Sequence, residues 1–165
     1  MATSTLVVMI LGILIIAGGI AMLASLTKES ETIQQLTTSQ RQELRRFMTE
    51  GQLVAAAPAN EEITAGSTAT FGIAINNRLD TAQVFTLRIT GKDKEGALLS
   101  TPAWQVNFLD PGIIQKNEQK EFLVTIKPNK SVPSGIYIFI VEVEYDLEGT
   151  TTPYDAKRSF TVRVQ

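Results

Sequence analysis

The chain of 165 residues contains neither cysteine nor histidine. Without cysteine it forms no disulfide, has no thiolate nucleophile and offers no zinc–sulfur site. Without histidine, the usual nucleophile–base pairs, histidine acid–base catalysis and most transition-metal sites are excluded. Dinucleotide-binding, P-loop and serine-hydrolase motifs are absent as well. These absences predict a protein that is not an enzyme and carries no cofactor and no metal.

Charge of either sign is scarce and nearly balanced. The 15 basic and 17 acidic residues leave a formal net charge of −2. Such a balance provides no large electropositive field for a polyanion. Nucleic acid is therefore not expected as a partner.

One long stretch lacks both charge and proline, the 22 residues from Thr5 to Leu26. As a helix it would measure about 33 Å, which matches the hydrocarbon layer of a bilayer. A cleavable secretory signal is the alternative, but such signals have an apolar core of about 7 to 15 residues behind a basic segment. The sequence therefore predicts a retained apolar helix.

Small residues recur within this stretch at spacings that place several of them on one helical face. Small side chains allow helices to approach closely in lipid or in an apolar bundle, although glycine and alanine are common in membrane helices generally. The predicted helix-packing positions are Gly12, Ala17, Gly18, Ala21 and Ser25.

After Lys28 the chain is polar, but it contains no proline and no glycine until Gly51. Apolar residues continue at spacings of three, four or a multiple, which is typical of an amphipathic helix. The sequence predicts one continuous helix from Thr5 to about Glu50. Its second half is a stem with interface residues Ile33, Leu36, Leu44 and Phe47.

The orientation of such a helix has two interpretations. The nearby basic side chains lie on its C-terminal side, which by charge alone would place that side in the cytoplasm. Long domains, however, translocate largely regardless of charge. We expect the C-terminal domain to lie outside the cell.

From Glu61 the apolar pattern changes from helical to alternating, as in Phe71, Ile73 and Ile75 or in Phe160, Val162 and Val164. About seven such strands, separated by turn-forming residues, predict an immunoglobulin-like antiparallel β-sandwich. The predicted fold class is α+β, with a helical segment 1–50, a linker 51–60 and a sandwich domain 61–165. Residues 135–145 are apolar on both faces in the first half of the segment, which indicates a strand covered on both sides or an extra contact surface.

Three features of the sandwich sequence concern chemistry. Glu142 and Glu144 face one side of their strand and are interpreted as solvent-facing, and Trp104 is interpreted as a core anchor. The sequence from Asn129 to Ser131 meets the acceptor rule for N-glycosylation, in a predicted turn.

This layout resembles the pilin-type subunits of archaeal surface filaments, the adhesion pilins and archaellins. The residues that carry the resemblance are Leu6 to Leu26, the stem to Phe47 and the sandwich from Glu61. The resemblance implies a helical homopolymer at the cell surface, membrane-inserted before assembly, that serves adhesion or motility and contacts envelope or surface ligands. Archaellum stator-type proteins are similar too. The alternative is therefore a membrane-anchored extracytoplasmic sandwich that does not polymerise.

Overall fold

Ten β-strands and one short helix make up the part of the chain that the computed structural model describes, residues 36–100, 102–147 and 149–165. In chain order they are α1 (Thr38–Thr49), β1 (Val54–Ala57), β2 (Asn60–Ile63), β3 (Ala69–Asn76), β4 (Gln83–Asp93), β5 (Trp104–Phe108), β6 (Gly112–Ile114), β7 (Gln119–Pro128), β8 (Gly135–Leu147), β9 (Thr150–Pro153) and β10 (Arg158–Val164).

The strands form two sheets that pack as a sandwich. The four-stranded sheet has the order β1-β3-β7-β5, and the six-stranded sheet has the order β2-β10-β8-β4-β6, with β9 paired to β8. The strand pairs are antiparallel except for β2 with β10. Strands β1 and β2, close in sequence, therefore belong to different sheets.

Aromatic rings join the two sheets across the core. Phe71 of the four-stranded sheet stacks on Phe160 of the six-stranded sheet, with ring centroids 3.9 Å apart. Phe139 packs against Phe160 at 5.8 Å and against Trp104 at 5.3 Å. All four rings are buried, which confirms the inward face that the alternating pattern predicted for these strands and the core position predicted for Trp104.

The prediction of an α+β fold with one continuous helix from Thr5 to about Glu50 is wrong. Helix α1 begins only at Thr38, because Thr37 is extended (φ −65°, ψ 159°) and caps it. The Thr37 side chain accepts a hydrogen bond from the Gln40 N–H at 3.3 Å, and the Gln40 side chain accepts one from the Thr37 N–H at 2.9 Å. This reciprocal capping box satisfies the first free N–H groups of a new helix.

The described residues are therefore mostly β-structure with one short helix. Within them, α1 lacks the length and the apolar character needed to span a membrane. The predicted apolar segment Thr5 to Leu26 lies outside the described residues.

Helix α1 packs on the outer face of the four-stranded sheet. Its buried residues Leu44 and Met48 contact small side chains of β1 and β3, namely Ala55, Ala57 and Ala74. Gly72 of β3 lies directly beneath the helix, since a Cβ atom there would be 2.7 Å from a methyl carbon of Leu44. Small residues on the sheet thus allow the close approach of α1.

The connection from α1 to the sandwich is short. Gly51, with φ 89°, follows the end of the helix in the left-handed conformation that favours glycine. The predicted linker 51–60 contains all of β1, which pairs with β3 from Val54 opposite Ile75 to Ala57 opposite Gly72. The domain boundaries at 50 and 61 stay a prediction.

Candidate interaction surfaces

A sandwich with open sheets has edge strands whose outward N–H and C=O groups are available to another chain. Here β1 and β5 are the edges of the four-stranded sheet, and β2 and β6 are the ends of the main strand order of the six-stranded sheet. Natural proteins protect such edges with short strands, charged residues or covering groups. The four edges differ in this protection.

The edge of β1 is covered by two side chains, from Asp155 before β10 and from Arg158 at its start. Asp155 accepts a hydrogen bond from the Val54 N–H through Oδ2 at 3.0 Å. Arg158 donates from Nε to the Val54 carbonyl at 2.7 Å and pairs with the same Asp155 oxygen at 2.8 Å. This ion pair occupies both outward backbone groups of Val54 and blocks addition of another strand there.

The edges of the six-stranded sheet are short and polar. Strand β2 has 4 residues and includes Glu61 and Glu62. Strand β6 has 3 residues, and the Lys120 ammonium group donates to the Ile113 carbonyl at 2.7 Å. Burial raises the pKa of Glu61, because its carboxylate loses part of its hydration in the folded domain. Both edges are poor templates for a further strand.

The edge of β5 differs in carrying no charge and, among the described residues, no covering side chain. Its sequence, Trp104 to Phe108, contains no charge and no proline, and it pairs with β7 on one side. Among the described residues no strand pairs with its other side. Beside it lies a cleft of about 400 Å³ between β5 and β4, with a mixed lining that includes the apolar Leu87, Val106 and Phe108 and the polar Arg88 and Ser100.

A second apolar surface lies on the outer face of the six-stranded sheet. Ile136 and Ile138 of β8 are 41% and 38% exposed, although they occupy a central strand. Ile138 is opposite Lys92 of β4, and Ile136 is opposite Arg163 of β10. The sequence allowed either a covered strand or an extra contact surface, and this exposure favours a contact surface.

Glu142 and Glu144 continue the same outer face, as the sequence predicted. Glu142 forms an ion pair with Lys157. The hydrogen bond from Lys157 holds the pKa of Glu142 below its usual value, and the charges of Lys157 and Arg88 act in the same direction. A glycosidase general acid needs a raised pKa, so Glu142 does not have that character. In the described part of the chain, no group of three or more acidic side chains is placed to hold a metal ion.

The structure places some of the predicted site residues. Leu44 is fully buried against the domain's own strands, and Leu36 and Phe47 pack around the same cluster. This contact is intramolecular, so a role of Leu36, Leu44 and Phe47 between subunits stays a prediction. The remaining predicted packing residues lie outside the described residues: Gly12, Ala17, Gly18, Ala21, Ser25 and Ile33.

Asn129 is exposed in the loop that follows β7, as predicted for a glycosylation acceptor. Its side-chain oxygen accepts hydrogen bonds from the Ser131 backbone N–H at 2.9 Å and from the Ser131 hydroxyl at 2.6 Å. Its amide nitrogen donates to the Pro102 carbonyl at 3.3 Å. Modification of this residue stays a prediction.

Sequence reasoning missed both the covered edge of β1 and the open edge of β5. Asp155 and Val54 are 101 residues apart, and no local pattern connects them. The absence of charge in residues 104–108 was the available signal for the open edge, but it indicates an edge only once the strand order is known.

Comparison with known proteins finds likenesses of fold only. No family model and no curated protein matches the sequence. The chain is similar to a family 123 glycoside hydrolase from Clostridium perfringens, with 19% identity and a TM-score of 0.50, over 64% of this chain and 22% of that one. It therefore spans about a fifth of the hydrolase.

Two further solved structures are similar at lower scores. One is the ASH/PapD-like domain of human CEP192, with 14% identity and a TM-score of 0.48, over 68% of this chain and 85% of that one. The other is MyfA, the major subunit of Myf fimbriae from Yersinia enterocolitica, with 18% identity and a TM-score of 0.46, over 68% and 98%. None of these likenesses transfers an activity or a partner to this chain.

Proposed function

We propose that this chain is a structural, non-catalytic subunit of an archaeal type IV pilus-like surface filament. Copies assemble through the apolar segment from Thr5 to Leu26, and the sandwich lies on the outside of the filament, where it serves adhesion or motility. Before assembly the apolar segment holds the subunit in the membrane.

The observation that supports this proposal most strongly is that α1, the helix nearest in sequence to the apolar segment, is packed on the sandwich. Nine residues separate Leu26 from Leu36, and α1 follows almost at once. Helix α1 is an integral part of the domain, because Leu44 is fully buried and Gly72 admits it at close range. A helix fixed to the start of the domain in this way suits a filament subunit, because force on the exterior must pass through this end of the domain.

Two further observations agree with a structural role. The chain has no cysteine or histidine, and Glu142, the residue considered above as an acid catalyst, is held ionised by Lys157. Two exposed isoleucines of β8, Ile136 and Ile138, offer an apolar surface for contacts outside the domain.

The first experiment is electron microscopy of material sheared from the native cell surface, with mass spectrometry of this chain. Filaments that contain the chain would support the proposal. A chain that stays in the membrane fraction, with no filament containing it, would contradict the proposal and favour a membrane-anchored sandwich that does not polymerise.

A substitution tests the proposed polymerising segment. Ala21→Leu is expected to abolish or strongly reduce filaments, because a bulky side chain separates closely packed helices. Ala82→Leu is the matched control, since Ala82 is exposed on the sandwich and a leucine there meets no core residue. Filaments of normal abundance in Ala21→Leu would contradict this interface, whereas loss in both variants would show that the effect is not specific to the segment.

A further inference from the structure

We propose that β5 is an edge through which two copies of this chain pair antiparallel, joining their four-stranded sheets into one continuous sheet. This contact is separate from the apolar segment of the proposed function. It follows from the sandwich alone.

The direction of the backbone groups defines the pairing edge. The Asn129 N–H donates to the Ala103 carbonyl at 2.9 Å, and Ala103 precedes the register pair of Trp104 with Pro128. Hydrogen-bonded and non-hydrogen-bonded pairs alternate along an antiparallel ladder. Trp104, Val106 and Phe108 therefore direct their N–H and C=O groups away from β7.

In the described part of the chain, no charged or covering side chain protects the edge of β5, whereas the other three edges are covered, charged or very short. Asp155 and Arg158 occupy the outward groups of β1, while β2 carries Glu61 and Glu62. Strand β6 has 3 residues. Strand β5 has 5 residues without charge, and three of them direct their backbone groups outward. An edge of this kind is a template for strand addition.

The strand is complementary to a second copy of itself. In an antiparallel pair centred on Val106, each Val106 faces the other, and Trp104 faces Phe108 of the second copy. All the outward groups then form about six backbone hydrogen bonds. On the exposed face, Gln105 lies opposite Asn107 of the second copy, so two neutral amides meet and no like charges oppose each other.

The charges beyond the strand also favour the antiparallel arrangement. Asp110 is exposed beyond the Phe108 end, whereas Lys127 and Lys130 are exposed near the Trp104 end. Antiparallel pairing brings the acidic end of one copy to the basic end of the other, while parallel pairing would bring like charges together. A second copy therefore satisfies the backbone, the side chains and the charges of this edge.

One edge of 5 residues buries much less area than the roughly 1,200 Å² of a stable complex. We therefore expect weak pairing between free molecules and substantial pairing where copies are held close together. Detergent micelles or membranes that concentrate the full chain provide that condition whether or not filaments form.

Disulfide trapping tests the pairing directly, since the natural chain has no cysteine. Full-length Gln105→Cys and Asn107→Cys chains are purified separately in detergent, mixed and mildly oxidised. Directly opposite positions of a non-hydrogen-bonded pair have Cβ atoms about 4.5 to 5.5 Å apart, near the spacing of a disulfide, whereas diagonal positions are about 7 to 8 Å apart. The mixture should therefore form dimers in several-fold excess over either variant alone.

Two controls accompany the mixture. Glu62→Cys, on the exposed face of the β2 edge, is mixed with Gln105→Cys and should give only background dimer. Adding Val106→Pro to both cysteine chains should return the yield to background, because proline removes an outward N–H. Edge strands tolerate proline when that N–H does not serve the ladder.

If Val106→Pro disturbs folding, Asp110→Lys replaces it, since this exposed residue can be reversed in charge without affecting the core. The dimer yield should then fall, and the fall should shrink at high salt. A mixed yield no higher than that of the single variants or of the Glu62→Cys control would overturn the proposal. Trapped dimers without any filament would sustain the β5 pairing and contradict only the proposed function.

Discussion

The packing of α1 on β3 permits a quantitative prediction from two substitutions that oppose each other. Leu44 is 0% exposed and covers Gly72 and the alanines of β1 and β3. Leu44→Ala should cost about 4 kcal/mol, in the upper part of the usual range of about 2 to 5 kcal/mol. The cost is high because the sheet side of the contact consists of glycine and alanine, whose side chains cannot move into the cavity.

Gly72→Ala perturbs the same contact from the other side. Its new Cβ would lie 2.7 Å from Leu44 Cδ1 and 2.7 Å from Leu36 Cδ2, closer than van der Waals contact. Overpacking of this kind costs about 1 to 3 kcal/mol. In the double variant the new methyl group enters space that Leu44 has vacated. The double variant should therefore be more stable than the sum of the single effects predicts, by about 1 kcal/mol or more.

Urea unfolding of the full-length chain in detergent measures these values. The chain has a single tryptophan, Trp104, which is 5% exposed in the sandwich core, so its fluorescence reports unfolding of the sandwich. Circular dichroism of the same samples follows total helical content, to which α1 contributes 12 residues. Leu98→Ala is the matched control, because Leu98 is 70% exposed and its truncation should change stability by less than about 0.5 kcal/mol.

Two results would refute this account of the helix. Leu44→Ala with the stability of Leu98→Ala would mean that α1 is not part of the cooperative domain. Strict additivity in the double variant would mean that Gly72 and Leu44 do not share one contact.

Three other predictions concern the core, acid stability and modification. Phe139→Ala should destabilise the sandwich by about 3 to 5 kcal/mol in urea melts, because Phe139 is 1% exposed and packs on Trp104; an unchanged midpoint would contradict this core. The lowered pKa of Glu142 means that its pairing with Lys157 stabilises the fold above the ordinary value of 4.5, and this contribution is lost as the pH falls through the lower folded-state pKa. Glu142→Gln should therefore show a smaller loss of stability on acidification, and an identical pH profile would argue against the pair. Mass spectrometry of chain isolated from the native cell surface should find a glycan that Asn129→Gln removes, and an unmodified natural chain would contradict the assignment.

Glu61 provides an internal contrast to Glu142 in the acid range. Burial raises the pKa of Glu61, so its ionised form opposes folding at neutral pH, and protonation relieves this cost. Acidification therefore acts in opposite directions at the two residues. The stability of the wild-type chain as a function of pH contains both contributions, so each one has to be measured with a single substitution.

The sequence alone determined the local features of this protein. Alternation of apolar residues predicted strands with Phe71 and Phe160 facing a core, and both are fully buried. A period of two is local and records which face is buried, so it can be recognised without knowledge of the partner strand. The lack of cysteine and histidine likewise excludes whole classes of chemistry from composition alone.

The start of helix α1 depends on both the local sequence and the tertiary structure. The capping residues Thr37 and Gln40 are present in the sequence, but the apolar spacing and the lack of proline and glycine predicted a helix that continues through them. A capping box satisfies backbone N–H groups that a continuous helix would satisfy internally. The apolar pattern alone therefore does not distinguish a helix that begins at Thr38 from one that continues through this residue. The packing of Leu44 over Gly72 decided the position of α1.

Only the tertiary structure decided which edges of the sandwich are available. Val54 acquires its covering groups from Asp155 and Arg158, more than a hundred residues later in the chain, whereas β5 receives no such groups from residues 36–100, 102–147 and 149–165. Strand order follows from pairing between distant segments, and a strand becomes an edge only through what lies beside it in space. The sequence of β5 therefore specified a strand, and the fold made it an open edge.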